Sequence, residues 1–306
     1  MKKHHLSYVE FYITNVCDLN CTDCNRFNNY AFKGHRFWDD VKEKYNNWST
    51  MLSIGTIGII GGEPLLNPDL FKWIDGIVKL WPESSIIIVT NGTRLNHTPN
   101  LYKEILKYKG KVKLEVSHHN SETWDNAFKN LELFLEKDAK KEVQHNKVWS
   151  ECLTEEHTHD IYRYTDFNNI QARLIPSWHF KDSSLKYENF EFSLYESNPE
   201  EAFNNCIMQT CHHMMDGKLY KCAPIGVLPD FMEQYKVTLT ENQKKIIESY
   251  APAESDWSNE KLDVFMENLI TKTHIPQCSL CSANPKQKII NSTNKKIKIY
   301  PINKQH

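Results

Sequence analysis

Along the first two-thirds of the chain, apolar residues alternate between a strand period of two and a helical period of roughly 3.6. The segment "YVEFYIT" (8–14) reads as a strand and 38–52 as a helix. "TIGII" (56–60) is a short apolar run that stops at Gly61-Gly62. Pro68 then opens a helix whose apolar positions Leu70, Phe71, Trp73, Ile74, Ile77, Val78 and Trp81 recur at helical spacing. "SIIIVT" (85–90) is a buried-type strand ending at Asn91-Gly92, followed by a helix over about 99–109 and the strand "VKLEVS" (112–117). A helix over about 121–137 carries Trp124, Phe128, Leu131 and Phe134 on one face, and "IYRYT" (161–165) and "IQARLIP" (170–176) supply further strands. Repeated β–α order implies parallel strands joined by right-handed crossovers. About six such units predict an α/β fold, a partial (β/α)6 TIM-like barrel without the eight-unit closure.

After Pro176 the pattern changes. Residues 206–226, "CIMQTCHHMMDGKLYKCAPIG", read as a hairpin with Asp-Gly at its turn, and 229–250 and 257–270 as polar helices. This places a boundary between a core over 1–185 and a small hairpin-and-helix unit over 186–306. The segment 142–160, rich in His and acidic residues, reads as an exposed loop.

Composition narrows the partners. The chain has 306 residues, with 37 basic against 39 acidic side chains, so no net field argues for nucleic acid or an anionic membrane surface. No apolar run is long enough to cross a bilayer, and the N-terminus moves straight into a strand instead of a signal peptide. That points to the cytoplasm, where clustered cysteines bind metal more often than they form disulfides. The nine cysteines fall into groups at 17/21/24, 206/211/222 and 278/281, with Cys152 alone.

Cys17-x3-Cys21-x2-Cys24 lies just past the first strand, at the sheet edge where open α/β folds put their chemistry. Zinc would recruit a fourth ligand, and a disulfide framework needs an oxidising compartment. A [4Fe–4S] cluster held by three thiolates leaves one iron free for a ligand. Directly after the second strand stands Gly61-Gly62-Glu63-Pro64, where glycine lets backbone approach a ligand and a carboxylate can receive an ammonium group.

Together with "TNG" (90–92), these motifs resemble the radical S-adenosylmethionine (SAM) superfamily over roughly residues 8–180. The resemblance implies that Cys17, Cys21 and Cys24 hold a [4Fe–4S] cluster whose open iron chelates the methionine moiety of SAM. It implies further that Gly61, Gly62 and Glu63 hold the methionine end, with Asn91 and Ser117 as additional SAM contacts or simple strand-end caps. Asp23 departs from the superfamily's bulky apolar residue before the third cysteine, which makes the nucleobase pocket more polar.

Cys206, Cys222, Cys278 and Cys281 resemble the Twitch domain, a shortened relative of the SPASM domain, and imply one auxiliary [4Fe–4S] cluster; CxxC is equally a zinc signature. Cys211 could replace Cys206 or be a buried core thiol. Two [4Fe–4S] clusters and SAM are thus the implied cofactors, with flavodoxin or ferredoxin as electron donor.

The resemblance implies hydrogen-atom abstraction by a 5′-deoxyadenosyl radical, most directly a net oxidation of a small molecule with the auxiliary cluster taking the second electron. Epimerisation with Cys152 or Cys211 returning hydrogen is the alternative. Peptide modification is a further one, which the early first strand disfavours by leaving no room for a leader-binding domain. A zinc-bound interaction protein is the non-enzymatic reading. His118, Trp178 and His179 stand at strand ends where a substrate would lie, although hydrogen-bonded or space-filling roles are ordinary for them.

Overall fold

The computed structural model describes residues 4–289 except 109, 120, 136–138, 148–157, 167, 177–178, 182–183, 272 and 286. Strand β1 (His4–Tyr12) leads through a long loop into α1 (Trp38–Met51), and β2 (Leu52–Ile60) follows. Then come α2 (Leu70–Leu80), β3 (Ser85–Thr90), α3 (Leu101–Leu106), β4 (Val112–His118) and α4 (Ser121–Phe134). The middle of the chain forms β5 (Lys140–Lys147), β6 (Thr158–Thr165), β7 (Gln171–Pro176), β8 (His179–Lys181), β9 (Leu185–Glu188) and β10 (Glu191–Leu194). The last third holds α5 (Pro199–Asn204), β11 (His212–Met215), β12 (Lys218–Tyr220), α6 (Ala223–Gln234), β13 (Val237–Thr238) and α7 (Glu241–Glu248). It ends in β14 (Ala253–Glu254), α8 (Asn259–Ile270) and β15 (Gln287–Ile289).

Ten strands make one mixed sheet in the order β14-β12-β11-β1-β2-β3-β4-β7-β6-β5. Strands β11, β1, β2, β3, β4 and β7 run parallel to one another, flanked by antiparallel strands at both ends. This is the α/β architecture of a partial TIM-like core. Register sorts its residues between two faces, because partners in a ladder share a face and successive residues alternate. Val9, Phe11, Ile57, Ile59, Ile86, Ile88, Leu114, Val116 and Leu174 are fully or almost fully buried in the core shared with the helices. On that side Phe11 stacks on Tyr45 of α1 with ring centroids 5.1 Å apart and meets Trp81 edge-on at 5.3 Å. The opposite face carries Tyr8, Glu10 and Tyr12, then His213 opposite Glu10 and Arg173 opposite Glu115.

Two departures from the sequence pattern have physical causes. The strand expected at 161–165 runs antiparallel to β7, because β6 ends at Thr165 and β7 begins at Gln171. A parallel return needs a crossover of about a dozen residues. The segment read as an exposed loop is in part β5, "KKEVQHNK", paired antiparallel with β6 at the sheet edge. An edge strand that polar has no apolar alternation to reveal it. Cys152 and Trp178 lie outside the described residues, as do the side chains of His118 and His179.

The expected hairpin is present, and its first strand adds to the main sheet beside β1. Asp216 and Gly217 at its tip have φ values of 54° and 74°, the pair of left-handed residues that a tight two-residue turn requires. The tip docks on α1, where Trp48 Nε1 donates to Gly217 O at 2.9 Å. No helix among the described residues is long and apolar enough to cross a membrane.

Gly217→Ala places a Cβ in the left-handed region and 2.4 Å from Lys44 Cδ. We expect a loss of about 1–3 kcal/mol in unfolding free energy by urea denaturation. Unchanged stability would show that the tip relaxes without resistance.

Candidate functional site

The loop leaving β1 is zipped to the loop leaving β2. Ile13 N donates to Ile60 O, Gly62 N to Thr14 O and Glu63 N to Val16 O, each at 2.8 Å. A Cβ on Gly61 would meet Thr14 O at 2.6 Å, and one on Gly62 would meet Val16 O at 2.4 Å and Cys17 Cβ at 2.8 Å. The glycine pair thus answers first to the chain's own backbone: it lets the cysteine loop lie directly against the second strand's exit.

Above this contact opens a cleft of about 660 Å³ at the C-terminal edge of the polar sheet face. Cys17, Cys21 and Cys24 line it with Gly61, Gly62 and Asn91. Ser117 and His119 from the exit of β4 face it from the other side. Leu19 N donates to Cys17 Sγ at 3.4 Å, and Cys24 N donates to Cys21 O at 3.3 Å, which curls the loop that carries the three cysteines along the cleft. Burial, followed by the charge of Glu63, pushes the Cys17 thiol well above its usual range, so metal binding there releases a proton. Three thiols on one open cleft, with an amide already aimed at a sulfur, fit a three-thiolate iron–sulfur cluster.

Glu63 lies beneath the cleft and is fully buried. Its Oε1 accepts from Thr90 Oγ1 at 2.7 Å and Leu65 N at 3.0 Å, and its Oε2 accepts from Asn91 N at 2.8 Å. It therefore ties the second strand's exit to the third. Burial pushes its carboxyl up to about 7 against the pull of those three donors. Asp18 performs a similar service at the rim, accepting from Asn91 Nδ2 at 2.9 Å, Thr93 Oγ1 at 2.7 Å and Arg94 Nε at 3.0 Å. Asp23 stands in the left-handed region with φ 57°.

Arg26, two residues beyond Cys24, also lines the cleft, and its guanidinium pairs with Glu10 on β1. His213 Nε2 meets the same carboxylate, and Tyr8 Oη donates to Glu10 Oε1 at 3.1 Å. Burial opposes the charge on Glu10, but Arg26 and His213 hold its carboxyl below the usual range. Cys211 belongs to this cluster: its sulfur, a His213 nitrogen and a Glu10 oxygen all lie within 4.8 Å of one another. Burial, then Glu10, keeps the Cys211 thiol protonated. Glu10 shares a face of β1 with Tyr8 and Tyr12, and nothing local in the sequence announced that Arg26 would reach it.

A second pocket, about 590 Å³ and mostly apolar, brings together Cys206, Cys222, Cys278 and Cys281. Cys211 is not among its lining residues. Met208 N donates to Cys206 Sγ at 3.2 Å, repeating the amide-to-sulfur contact at Cys17. Burial pushes Cys222 up to about 12 and Cys281 well above its usual range, with the neighbouring thiols adding to both shifts. Four converging sulfurs with no carboxylate among the described lining residues suit a thiolate-only metal centre. Of the paired histidines at 212/213, His212 is structural: Nδ1 bonds to Lys221 O at 2.8 Å, and burial lowers its pKa to about 4.

Residues 11–143 match the family described as the radical SAM superfamily. A probable GTP 3′,8-cyclase of Methanothermobacter thermautotrophicus is 32% identical over 114 residues, 37% of this chain and 35% of that protein. The chain thus spans about a third of the length of the curated relative it matches. Among solved structures, BtrN in complex with AdoMet and 2-DOIA aligns over 92% of this chain and 94% of its own, at 14% identity and a TM-score of 0.44. Streptococcus suis SuiB bound to precursor peptide SuiA aligns over 42% and 30% respectively, at 17% identity and a TM-score of 0.34.

Glu63, with an ordinary value of 4.5 and a folded value of about 7, stabilises the fold below pH 4.5, and that contribution is lost as pH rises through 7. In cluster-free protein we expect about 3 kcal/mol of unfolding free energy to disappear across this window, less other groups' contributions, and Glu63→Gln to remove that slope. The comparison is of slopes by urea titration at several pH values, since Gln also sets an amide against Asn91 N.

Proposed function

We propose, from the match of residues 11–143 to the radical SAM superfamily, an enzyme that dehydrogenates a polar small molecule. The observation that carries this reading is the meeting of Cys17, Cys21, Cys24, Gly61 and Gly62 in one cleft, with a separate four-thiol pocket beyond the hairpin that joins the sheet. When bound, the cluster and SAM supply a 5′-deoxyadenosyl radical, which takes a hydrogen atom from the substrate.

The chain's own residues do the rest. Cys17, Cys21 and Cys24 would hold the first [4Fe–4S] cluster. The backbone of Gly61 and Gly62, with Asn91 and Ser117, would receive SAM, while buried Glu63 keeps the two exit loops in place. Cys206, Cys222, Cys278 and Cys281 would hold a second [4Fe–4S] cluster in a Twitch-like unit over 186–306, next to the core over 1–185. A substrate radical beside a hydroxyl or amine must lose one proton and one electron to complete the oxidation, and the four-thiol pocket gives that electron a destination. Ionic groups on the polar sheet face, the Glu10–Arg26 and Glu115–Arg173 pairs, favour a polar substrate. His118, Trp178 and His179 are kept as substrate-side candidates. The setting is cytoplasmic, with flavodoxin or ferredoxin as electron donor.

A second reading, epimerisation, is favoured by one observation: protonated Cys211 sits in the Glu10–Arg26–His213 cluster, and Arg26 lines the cleft. Cys152 is the other hydrogen-donor candidate.

Anaerobically reconstituted protein is expected to carry about eight iron per chain. The Cys17→Ala/Cys21→Ala/Cys24→Ala variant should carry about four and make no 5′-deoxyadenosine from SAM. Zinc in place of iron, or deoxyadenosine from the triple variant, would reject the reading. Cys211→Ala and Cys152→Ala separate the two reactions: a dehydrogenase keeps turnover in both, whereas an epimerase loses it in one, with iron content intact.

A further inference from the structure

Lys221 follows the second hairpin strand directly, one residue before Cys222, and its backbone is held on both sides. Its amide donates to Tyr250 Oη at 2.9 Å, and its carbonyl accepts from His212 Nδ1 at 2.8 Å. The side chain enters the four-thiol pocket, which it lines with Cys206, Cys222, Cys278 and Cys281. The residue is only 6% exposed. Its Nζ lies 5.3 Å from the centroid of the Phe203 ring and has no hydrogen-bond acceptor among the described residues.

A buried ammonium without an anion is strongly unfavourable, and a cation over one phenyl face recovers little of what water gave. No carboxylate lines this pocket among the described residues, so the only groups there able to become anionic are the thiols. A [4Fe–4S] core held by four thiolates is anionic in either of its working oxidation states and presents sulfur acceptors. Adding an electron deepens that negative charge. A fixed cation nearby stabilises the reduced form more than the oxidised form, which moves the potential upward.

We propose that Lys221 donates N–H···S to the second cluster and raises its reduction potential, making it a better acceptor for the substrate's electron. This rests on the reading of a second cluster given above. The step is a one-electron reduction of the cluster, balanced by oxidation of the substrate radical with release of its proton.

The test uses the full-length Cys17→Ala/Cys21→Ala/Cys24→Ala protein, which leaves the four-thiol pocket as its only cluster site under the reading above. Iron is counted after anaerobic reconstitution, and the midpoint potential is measured by redox titration monitored by electron paramagnetic resonance. Lys221→Gln and Lys221→Met should make reduction at least tenfold less favourable, a downward shift of about 59 mV for one electron. Lys221→Arg should stay near the parent. Unchanged potentials in the neutral variants overturn the inference and leave the second cluster standing. Absence of iron, or zinc in its place, in the lysine-bearing parent overturns the cluster and the inference together. Should the neutral variants take up no iron while the arginine variant loads, the requirement for a positive charge is supported; failure of all three counts against it.

Discussion

The functional edge of the sheet depends on one close approach, the backbone of Gly61-Gly62 against Thr14–Val16. Two amide-to-carbonyl bonds of 2.8 Å hold it, and any side chain at either glycine would collide with backbone at 2.6 Å or less. With that contact in place the cysteine loop cannot swing away from the second strand. Thr14 reinforces it: its hydroxyl accepts from Val16 N at 3.0 Å and bonds His35 Nδ1 at 2.9 Å. Glu63 and Asp18 then carry the constraint across to Asn91, so three consecutive strand exits behave as one piece.

The same loop is anchored from behind. Phe27, Tyr30 and Phe32 pack with Phe192, Phe231 and Tyr235, with Tyr30 and Phe192 centroids 4.9 Å apart. Arg36, nearly buried, pairs with Asp216 at the hairpin tip and with Asp230 on α6. Aromatic packing and a shared cation thus join the cysteine loop to the last third of the chain. Apolar contact supplies the area, and the paired charges fix the register, because a buried guanidinium tolerates few arrangements.

Much of this was legible in the residues. The first four parallel β–α units, the glycine pair after the second strand and the Asp-Gly turn follow from local patterns, and the structure has each where the pattern put it, whereas the strand at 161–165 turned out antiparallel. The three cysteines at 17, 21 and 24 meet in one cleft, and 206, 222, 278 and 281 meet in one pocket. What stayed hidden depends on contacts between distant segments. Arg26 reaches Glu10 across 16 positions, and Lys221 meets Cys278 from opposite ends of the last third. Strand β5 was invisible because a polar edge strand has no apolar face to register. The bonds that Glu63 accepts from Thr90, Leu65 and Asn91 were hidden too, because only the fold brings those donors within reach.

The parallel ladder of β11 on β1, with His213 beside Glu10, has a mechanical result. The loop bearing Cys17, Cys21 and Cys24 leaves β1, while Cys222 follows β12, which pairs with β11, so both segments are tied into one continuous sheet. A slip of β11 along β1 would part His213 from Glu10 and disturb both segments at once.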